Sequence, residues 1–208
     1  MIMLRVILWG WLTFPHVVIF LLSNEKKTII KDIDRWADCT NSPLNKYFIT
    51  RKKLFYILEL QRLLLTLPEY RNLFYLRIGK IKYLLYYLRP LSTLYIYTPS
   101  KSFGEGTFIQ HGFATVITAE NIGKNCWINQ QVTIGYNNSK KYGYGKPWIG
   151  DNVRIASGAI VCGKVSVGNG SIIGVNSVIV KDVPENSTII PSPMCIIREN
   201  GKIVNKKF

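Results

Sequence analysis

The amino-acid sequence predicts an α-helical N-terminal region followed by an all-β C-terminal half, in which short parallel strands wind into a β-helix. The first observation is that branched aliphatic residues recur every six positions. These anchors are Ile149, Ile155, Val161, Val167, Ile173 and Ile179. The second is that small or β-branched residues mostly come directly after the anchors and four positions after them. The third is that residues 25–89 lack this period and are predicted to form helices interrupted near Pro43 and Pro68 and closed by Pro90.

The six-residue period favours a solenoid, because it fits neither an amphipathic helix nor a flat hairpin. In a solenoid each short strand points one branched side chain inward and then turns at a small residue. Two further sets have the same six-residue spacing, Phe103 and Ile109, and Ile122, Ile128 and Ile134; one extra residue separates these two sets, and three extra residues precede Ile149. We therefore expect a helical region over residues 1–93, a β-helix domain over residues 94–200 and a basic tail over residues 201–208.

The composition excludes several classes of protein. With 208 residues, 48% of them hydrophobic and 19% charged, the chain is expected to fold around one good-sized core and a smaller accessory unit. Its four cysteines are far apart in sequence, so neither a zinc site nor a disulfide scaffold is predicted, and no metal is expected. The net charge of +15 attracts anionic partners. It is spread over both halves without a nucleic-acid-binding signature, so nucleic acid is not expected.

The first segment, from Ile2 to Leu22, is an apolar run that contains Pro15 and His16. It is just long enough to span a bilayer, but a proline and a polar ring near its midpoint are costly in hydrocarbon. The interpretations are, in order of preference, a re-entrant or interfacial membrane segment, a helix packed in a soluble protein, and a true span. From Tyr70 to Arg89 aromatic and basic residues interleave, which suits a lipid headgroup zone or a solvated helical face. We expect a bacterial cytoplasmic protein that contacts the inner face of the cytoplasmic membrane.

A series of motifs runs through the repeat region. Residues 104–117 have the sequence GEGTFIQHGFATVI, and residues 132–135 (VTIG), 146–150 (KPWIG) and 181–184 (KDVP) follow in order. These motifs resemble the hexapeptide-repeat acyltransferases, in particular the serine acetyltransferase-like branch that includes capsule and lipopolysaccharide O-acetyltransferases. The resemblance implies a left-handed β-helix, acetyl-coenzyme A as acyl donor, and a homotrimer with active sites between subunits. Handedness rests on the resemblance alone, because ordinary parallel crossovers are right-handed.

His111 is the candidate catalytic residue. Transfer of an acetyl group to a hydroxyl needs a base that removes the proton as oxygen attacks the thioester, and imidazole titrates near the working pH. His111 is the only histidine of the repeat region and lies in the motif that the resemblance assigns to the catalytic histidine; the alternative is an ordinary surface residue in a turn. The resemblance also implies coenzyme A contacts at Ala156, Gly158, Gly174, Lys181 and Ser192.

The residues around His111 depart from the serine acetyltransferase pattern. The resemblance places an aspartate 15 residues before the histidine and an acid directly before it, where this chain has Ile96 and Gln110. Lys146 stands where a second histidine is matched. Without these groups we expect free serine to be poorly held, and we expect a backbone carbonyl or another side chain such as Glu120 to orient His111.

We therefore expect an O-acetyltransferase that acts on a sugar hydroxyl in capsule, lipopolysaccharide or exopolysaccharide biosynthesis. The candidate acceptor-binding residues are Gln110, Asn129, Gln130 and Lys146. The alternative is a serine O-acetyltransferase of cysteine biosynthesis. A non-catalytic β-helix scaffold is the third hypothesis, because a fold does not by itself establish an activity.

Overall fold

The computed structural model describes residues 6, 8–48, 50–137 and 144–191, together with the backbone of residues 195–199 and 202–207. Helices occupy the N-terminal region and strands begin at Leu94, which confirms the predicted fold class. The helices are α1 (Phe14–Leu22), α2 (Lys26–Cys39), α3 (Lys53–Thr66) and α4 (Pro68–Ile78), with short 3₁₀ helices at Gly10–Thr13, Pro43–Lys46, Gly79–Leu84 and Ser100–Ser102.

Proline and glycine set the boundaries of α4. Pro68 occupies its first turn, where a missing amide hydrogen has no helical partner to lose. The residue before a proline is driven out of the helical conformation, so α3 ends at Thr66 and Leu67 is extended. Gly79, with φ of 63°, ends α4, since a left-handed residue stops a helix and glycine adopts that conformation without strain.

Short strands succeed one another from Leu94 onward. They are β1 (Leu94–Ile96), β2 (Phe108–Ile109), β3 (Thr115–Ile117), β4 (Asn121–Ile122), β5 (Trp127–Ile128), β6 (Thr133–Gly135), β7 (Trp148–Ile149), β8 (Arg154–Ile155), β9 (Ile160–Cys162), β10 (Ser166–Val167), β11 (Ile172–Ile173), β12 (Val178–Ile179), β13 (Thr188–Ile189), β14 (Cys195–Glu199) and β15 (Lys202–Lys207). The last two strands pair antiparallel. β15 lies within the predicted basic tail.

The other strands form three parallel sheets that are the faces of a triangular prism. Face 1 has the order β1-β3-β6-β9-β12, face 2 the order β10-β7-β4, and face 3 the order β13-β11-β8-β5-β2. The chain passes from face 3 to face 1 to face 2 in each coil. Anchors stack in register between coils, as in the pairs Ile128↔Ile155 and Ile155↔Ile173. All the predicted anchors from Phe103 to Ile179 are buried, which confirms the six-residue period.

Close stacking of the coils explains the small residues that follow the anchors. A Cβ placed on Gly123 would lie 2.3 Å from the carbonyl of Gly150 in the next coil. At the corners, left-handed residues reverse the chain, and many of them are asparagine or glycine, the residues that adopt positive φ most readily. The coil spacing therefore limits the residue types after each anchor.

The described part of the Ile2–Leu22 segment packs on the helical region. Pro15 lies in the first turn of α1 and does not interrupt the helix. His16 is fully buried, with its Nε2 3.1 Å from the hydroxyl oxygen of Tyr75. Burial lowers the pKa of His16 to about 4, so the ring is neutral near neutral pH. Among the described residues, none of the helices combines the length and hydropathy needed to cross a bilayer.

Buried polar contacts join the helices to the first coil, which consists of β2, β3 and β4. The Arg77 Nε donates to Asp32 Oδ2 at 2.9 Å, and the Gly106 amide donates to Asp32 Oδ1 at 2.7 Å. Trp36 Nε1 donates to the carbonyl of Thr107 at 2.9 Å. The orientation of α2 and α4 relative to β2 is fixed by these bonds.

Strand β11 allows a direct test of the register. Ile173 is fully buried, whereas its neighbour Ile172 is 41% exposed. We predict that Ile173→Asp prevents folding, because an unpaired carboxylate in the aliphatic column costs several kcal/mol, which is comparable to the whole stability of a domain at the low end of the usual range of about 5–15 kcal/mol. The matched control Ile172→Asp is expected to keep a cooperative melting transition by circular dichroism. Equal melting of both variants would contradict the assigned register.

Candidate active site

His111 lies at the corner where the chain leaves β2 on face 3 and enters β3 on face 1. It has φ of 56°, and its backbone carbonyl accepts a hydrogen bond from the Phe113 amide. The side chain is exposed and has no hydrogen-bond partner among the described residues. The backbone of His111 is therefore fixed at the corner, and its imidazole is accessible to a substrate.

The same corner carries a left-handed residue in each of four successive coils. After His111 come Gln131, Gly158 and Asn176, with φ of 59°, 70° and 57°. The coils are joined here by backbone bonds, such as Gly158 N to Gln130 O at 3.2 Å and Asn176 N to Ser157 O at 3.0 Å. With coils about 4.8 Å apart, Gly158 lies roughly 10 Å along the prism axis from His111.

Three of the predicted coenzyme A contacts lie on this corner. Ala156 and Gly158 directly follow β8, and Gly174 directly follows β11. The Ala156 amide donates to the Ile173 carbonyl at 2.8 Å. Lys181 follows β12 and lies at the corner between faces 1 and 2, so within one chain it is not adjacent to the others. Ser192 lies outside the described residues. The set remains a prediction.

Gln110 is held beside His111 by two hydrogen bonds. Its Oε1 accepts from Trp127 Nε1 at 3.1 Å and from Asn129 Nδ2 at 3.0 Å. The ring of Trp127 also contacts two guanidinium groups, those of Arg35 and Arg154, at 5.9 and 4.9 Å from the ring centroid. The side chains of Gln110 and Asn129 are thus fixed relative to each other beside the His111 corner.

The other predicted acceptor-binding residues differ in position. Gln130 lies at the His111 corner, and its Oε1 is buried without a hydrogen-bond partner among the described residues. Lys146 is exposed and precedes β7 at the corner between faces 1 and 2, away from His111 of the same chain. Glu120 precedes β4 at that second corner, so the expectation that it orients His111 is wrong within one chain.

A pocket of about 160 Å³ opens between His111 and the helical region. Its lining consists of Trp36, Cys39, Thr40, Leu67, Glu69, Phe108, Ile109, Gln110 and His111. Trp36 packs edge-on against Phe108, with ring centroids 4.8 Å apart. Sequence reasoning did not predict the helical residues of this lining, because no local motif marks them.

Comparison with known proteins identifies the repeats. The family described as bacterial transferase hexapeptide (six repeats) matches residues 146–181. The serine acetyltransferase of Bacillus pumilus is 42% identical over 110 residues, 52% of this chain and 50% of that protein. That of Staphylococcus aureus strain N315 is 40% identical over 111 residues, 53% of this chain and 52% of that protein. The chain spans about half the length of the curated relatives it matches.

Solved structures with the same fold are also serine acetyltransferases. Serine acetyltransferase 1 of Entamoeba histolytica, in complex with L-cysteine, has a TM-score of 0.54 and 25% identity, over 86% of this chain and 64% of that chain. The Neisseria gonorrhoeae enzyme, in complex with serine, has a TM-score of 0.52 and 22% identity, over 81% and 67%. A likeness at 22% identity establishes the left-handed β-helix fold alone.

These relatives overturn the predicted sugar acceptor. The expectation of a capsule, lipopolysaccharide or exopolysaccharide enzyme is wrong, because the curated relatives at 40–42% identity are serine acetyltransferases. The expectation rested on Ile96 and Gln110, which stand where the family pattern has acids. In the fold, however, the helical region brings the carboxylate of Glu69 to the His111 pocket. Residues 146–181 thus match the hexapeptide-repeat transferases, and the chain has the left-handed β-helix fold of the solved serine acetyltransferases.

Proposed function

We propose that the protein is an acetyl-coenzyme A-dependent O-acetyltransferase and that its acceptor is the hydroxyl of serine. The observation that carries the proposal is His111, whose exposed imidazole lies at a fixed backbone corner within the half of the chain that resembles serine acetyltransferases. A solved serine acetyltransferase in complex with coenzyme A, with a TM-score of 0.52, supports the choice of donor.

In the proposed reaction His111 acts first as base and then as acid. One ring nitrogen removes the proton of the acceptor hydroxyl while the oxygen attacks the thioester carbonyl and forms the new C–O bond. The tetrahedral intermediate then collapses, the C–S bond breaks, and the imidazolium returns the proton to the departing thiolate. The products are the O-acetyl ester and free coenzyme A, and His111 is restored.

The corner below His111 is suited to an extended donor. Ala156, Gly158 and Gly174 carry little or no side chain, so a pantetheine arm can approach the backbone along successive coils. The amides of all three residues are already bonded between coils, so the donor for the developing oxyanion is some other group. We retain Lys181 and Ser192 as proposed contacts.

We predict that His111→Ala lowers acetyl transfer to L-serine by about 10² to 10⁴-fold, the usual contribution of a positioned general base. The fold should be unaffected, because the side chain is exposed. Free thiol released from acetyl-coenzyme A measures the rate, and L-alanine, which lacks the hydroxyl, is the matched acceptor control. A His111→Ala protein that acetylates serine at the wild-type rate would refute the mechanism. Wild-type protein that releases no more thiol with serine than with alanine would refute the acceptor.

Face 1 supports the proposed homotrimer. Its outward-facing residues form one column in register: Tyr95, Val116, Thr133, Ile160 and Val178. Tyr95 is 48% and Val178 is 62% exposed. An apolar column of this kind favours contact with another molecule, and closed symmetry is the common result for identical chains. His111 borders face 1, so the active sites would lie between subunits.

The combined variant Tyr95→Lys/Val178→Lys should reduce the mass measured by light scattering from three chains to one, because charges would be buried in the interface. Both side chains are exposed in the single chain, so folding should persist. Ser166→Lys on face 2 is the control and should remain trimeric. A wild-type mass of one chain would exclude the trimer.

We also propose that the helical region contacts an anionic bilayer at the inner face of the cytoplasmic membrane. Trp9, Trp11 and Phe14 are more than half exposed. The hydroxyl of Tyr87 donates to the Leu12 carbonyl at 2.6 Å, which joins this segment to residues 79–87. There the exposed apolar residues Ile81, Tyr83 and Leu84 alternate with Lys80 and Lys82. Apolar side chains interleaved with cations favour an anionic lipid surface.

Flotation with phosphatidylglycerol vesicles is the test of this contact. The full chain should float with these vesicles and not with phosphatidylcholine vesicles, and high salt should weaken binding. Lys80→Glu/Lys82→Glu should bind more weakly, whereas Lys124→Glu/Lys164→Glu on the β-helix should bind like the wild type. Full recovery in the lipid-free fraction at low salt would contradict the proposal.

A further inference from the structure

Glu69 is a carboxylate at the His111 pocket with no assigned role. It lies in the first turn of α4 and lines the pocket together with His111. A Cβ built on Gly112, the residue after His111, would lie 3.5 Å from Glu69 Cγ. The stem of Glu69 therefore packs against the turn that holds the histidine, and both side chains line the same pocket.

The Glu69 carboxylate forms no hydrogen bond or ion pair with the described residues. The nearby Arg71 does not neutralise it by direct contact, because that guanidinium donates to the backbone carbonyls of Leu64, Leu65 and Arg89. The Glu69 carboxylate beside His111 is therefore not paired with Arg71, although Arg71 is only two residues away in sequence.

The other polar groups of the pocket are occupied or neutral. Burial raises the pKa of the Cys39 thiol, so it stays protonated near neutral pH. The Thr40 hydroxyl donates to the Trp36 carbonyl at 2.6 Å and accepts from Arg62 at 2.8 Å. Gln110 Oε1 already accepts two hydrogen bonds. Glu69 is the charged acceptor in this pocket that remains for the imidazole.

We propose that Glu69 is a positioning residue for His111. Its carboxylate accepts a hydrogen bond from Nδ1–H of the ring, which directs Nε2 to the acceptor hydroxyl and stabilises the imidazolium that forms during transfer. This inference rests on the proposed acetyltransferase function. It also explains how the site operates with Ile96 in place of an acid.

Kinetics of Glu69→Gln test the proposal. We expect kcat to fall about tenfold or more while KM for serine stays within about twofold, because the ring loses its orientation and the acceptor loses no contact. Glu69→Asp should recover part of the loss. Glu120→Gln, at a different corner, is the matched control and should behave like the wild type. A rise in KM alone would mean that Glu69 binds the serine ammonium group, and it would overturn the positioning role.

Proton NMR tests the contact without any substrate. The chain has two histidines, and the ring resonances that the spectrum of His111→Ala lacks are those of His111, whose titration is then followed in the wild type. In Glu69→Gln the midpoint of this titration should move to lower pH, since a neutral amide no longer favours the charged ring. Glu120→Gln should leave it unchanged.

The two readouts separate the possible failures. A titration that shifts in a protein unable to acetylate serine would refute the proposed acceptor and leave the Glu69–His111 contact standing. A midpoint that is the same in wild type and Glu69→Gln would refute the contact whatever the activity.

Discussion

The arrangement of the site depends on one buried ion pair, that of Asp32 and Arg77. Both side chains are almost fully buried, and Arg77 also donates to the carbonyls of Phe103 and Gly104 at 2.5 and 2.8 Å. Burial raises the pKa of Asp32 to about 6, although the Arg77 charge acts in the opposite direction. Removal of either partner would leave an uncompensated buried charge, which costs about 3–5 kcal/mol. The pair therefore fixes the helices against the first coil, and with them Trp36 and Glu69 relative to His111.

The helical region also acts as the cap of a solenoid. A stacked coil leaves its terminal face open, and a repeat protein needs a terminal element to cover it. Here Trp36 contacts both Tyr70 and Phe108 edge-on, with centroids 5.2 and 4.8 Å away, so the aromatic core continues from the helices into β2. The same elements that cover the first coil also form one wall of the His111 pocket. Stability at this end and the shape of the site thus have a common physical origin.

The parts of the structure that could be predicted from the sequence are those set by local repetition. Each anchor, such as Ile155, is buried because the next face of the prism needs an inward side chain six residues further on, and the six-residue period shows this. Ile173 of the next coil then stacks on Ile155. The Asp32–Arg77 pair could not be predicted in this way, because its members are 45 residues apart and no repeat relates them. Pro15 and His16 were expected to disturb a membrane helix; instead the helix begins at Phe14, and Tyr75 accommodates the buried ring.

The same distinction explains the wrong acceptor. Isoleucine stands at position 96, where the family pattern has an acid, and this difference alone predicts that serine is poorly held. The interaction of a carboxylate with an imidazole or an ammonium group depends on distance and on the surrounding dielectric, and not on which element carries the acid. Face 1 supplies no acid at Ile96, but α4 is held against the first coil and ends its first turn beside Gly112. A missing residue therefore excludes a substrate only when every element that borders the site has been considered, and here the helical cap borders it.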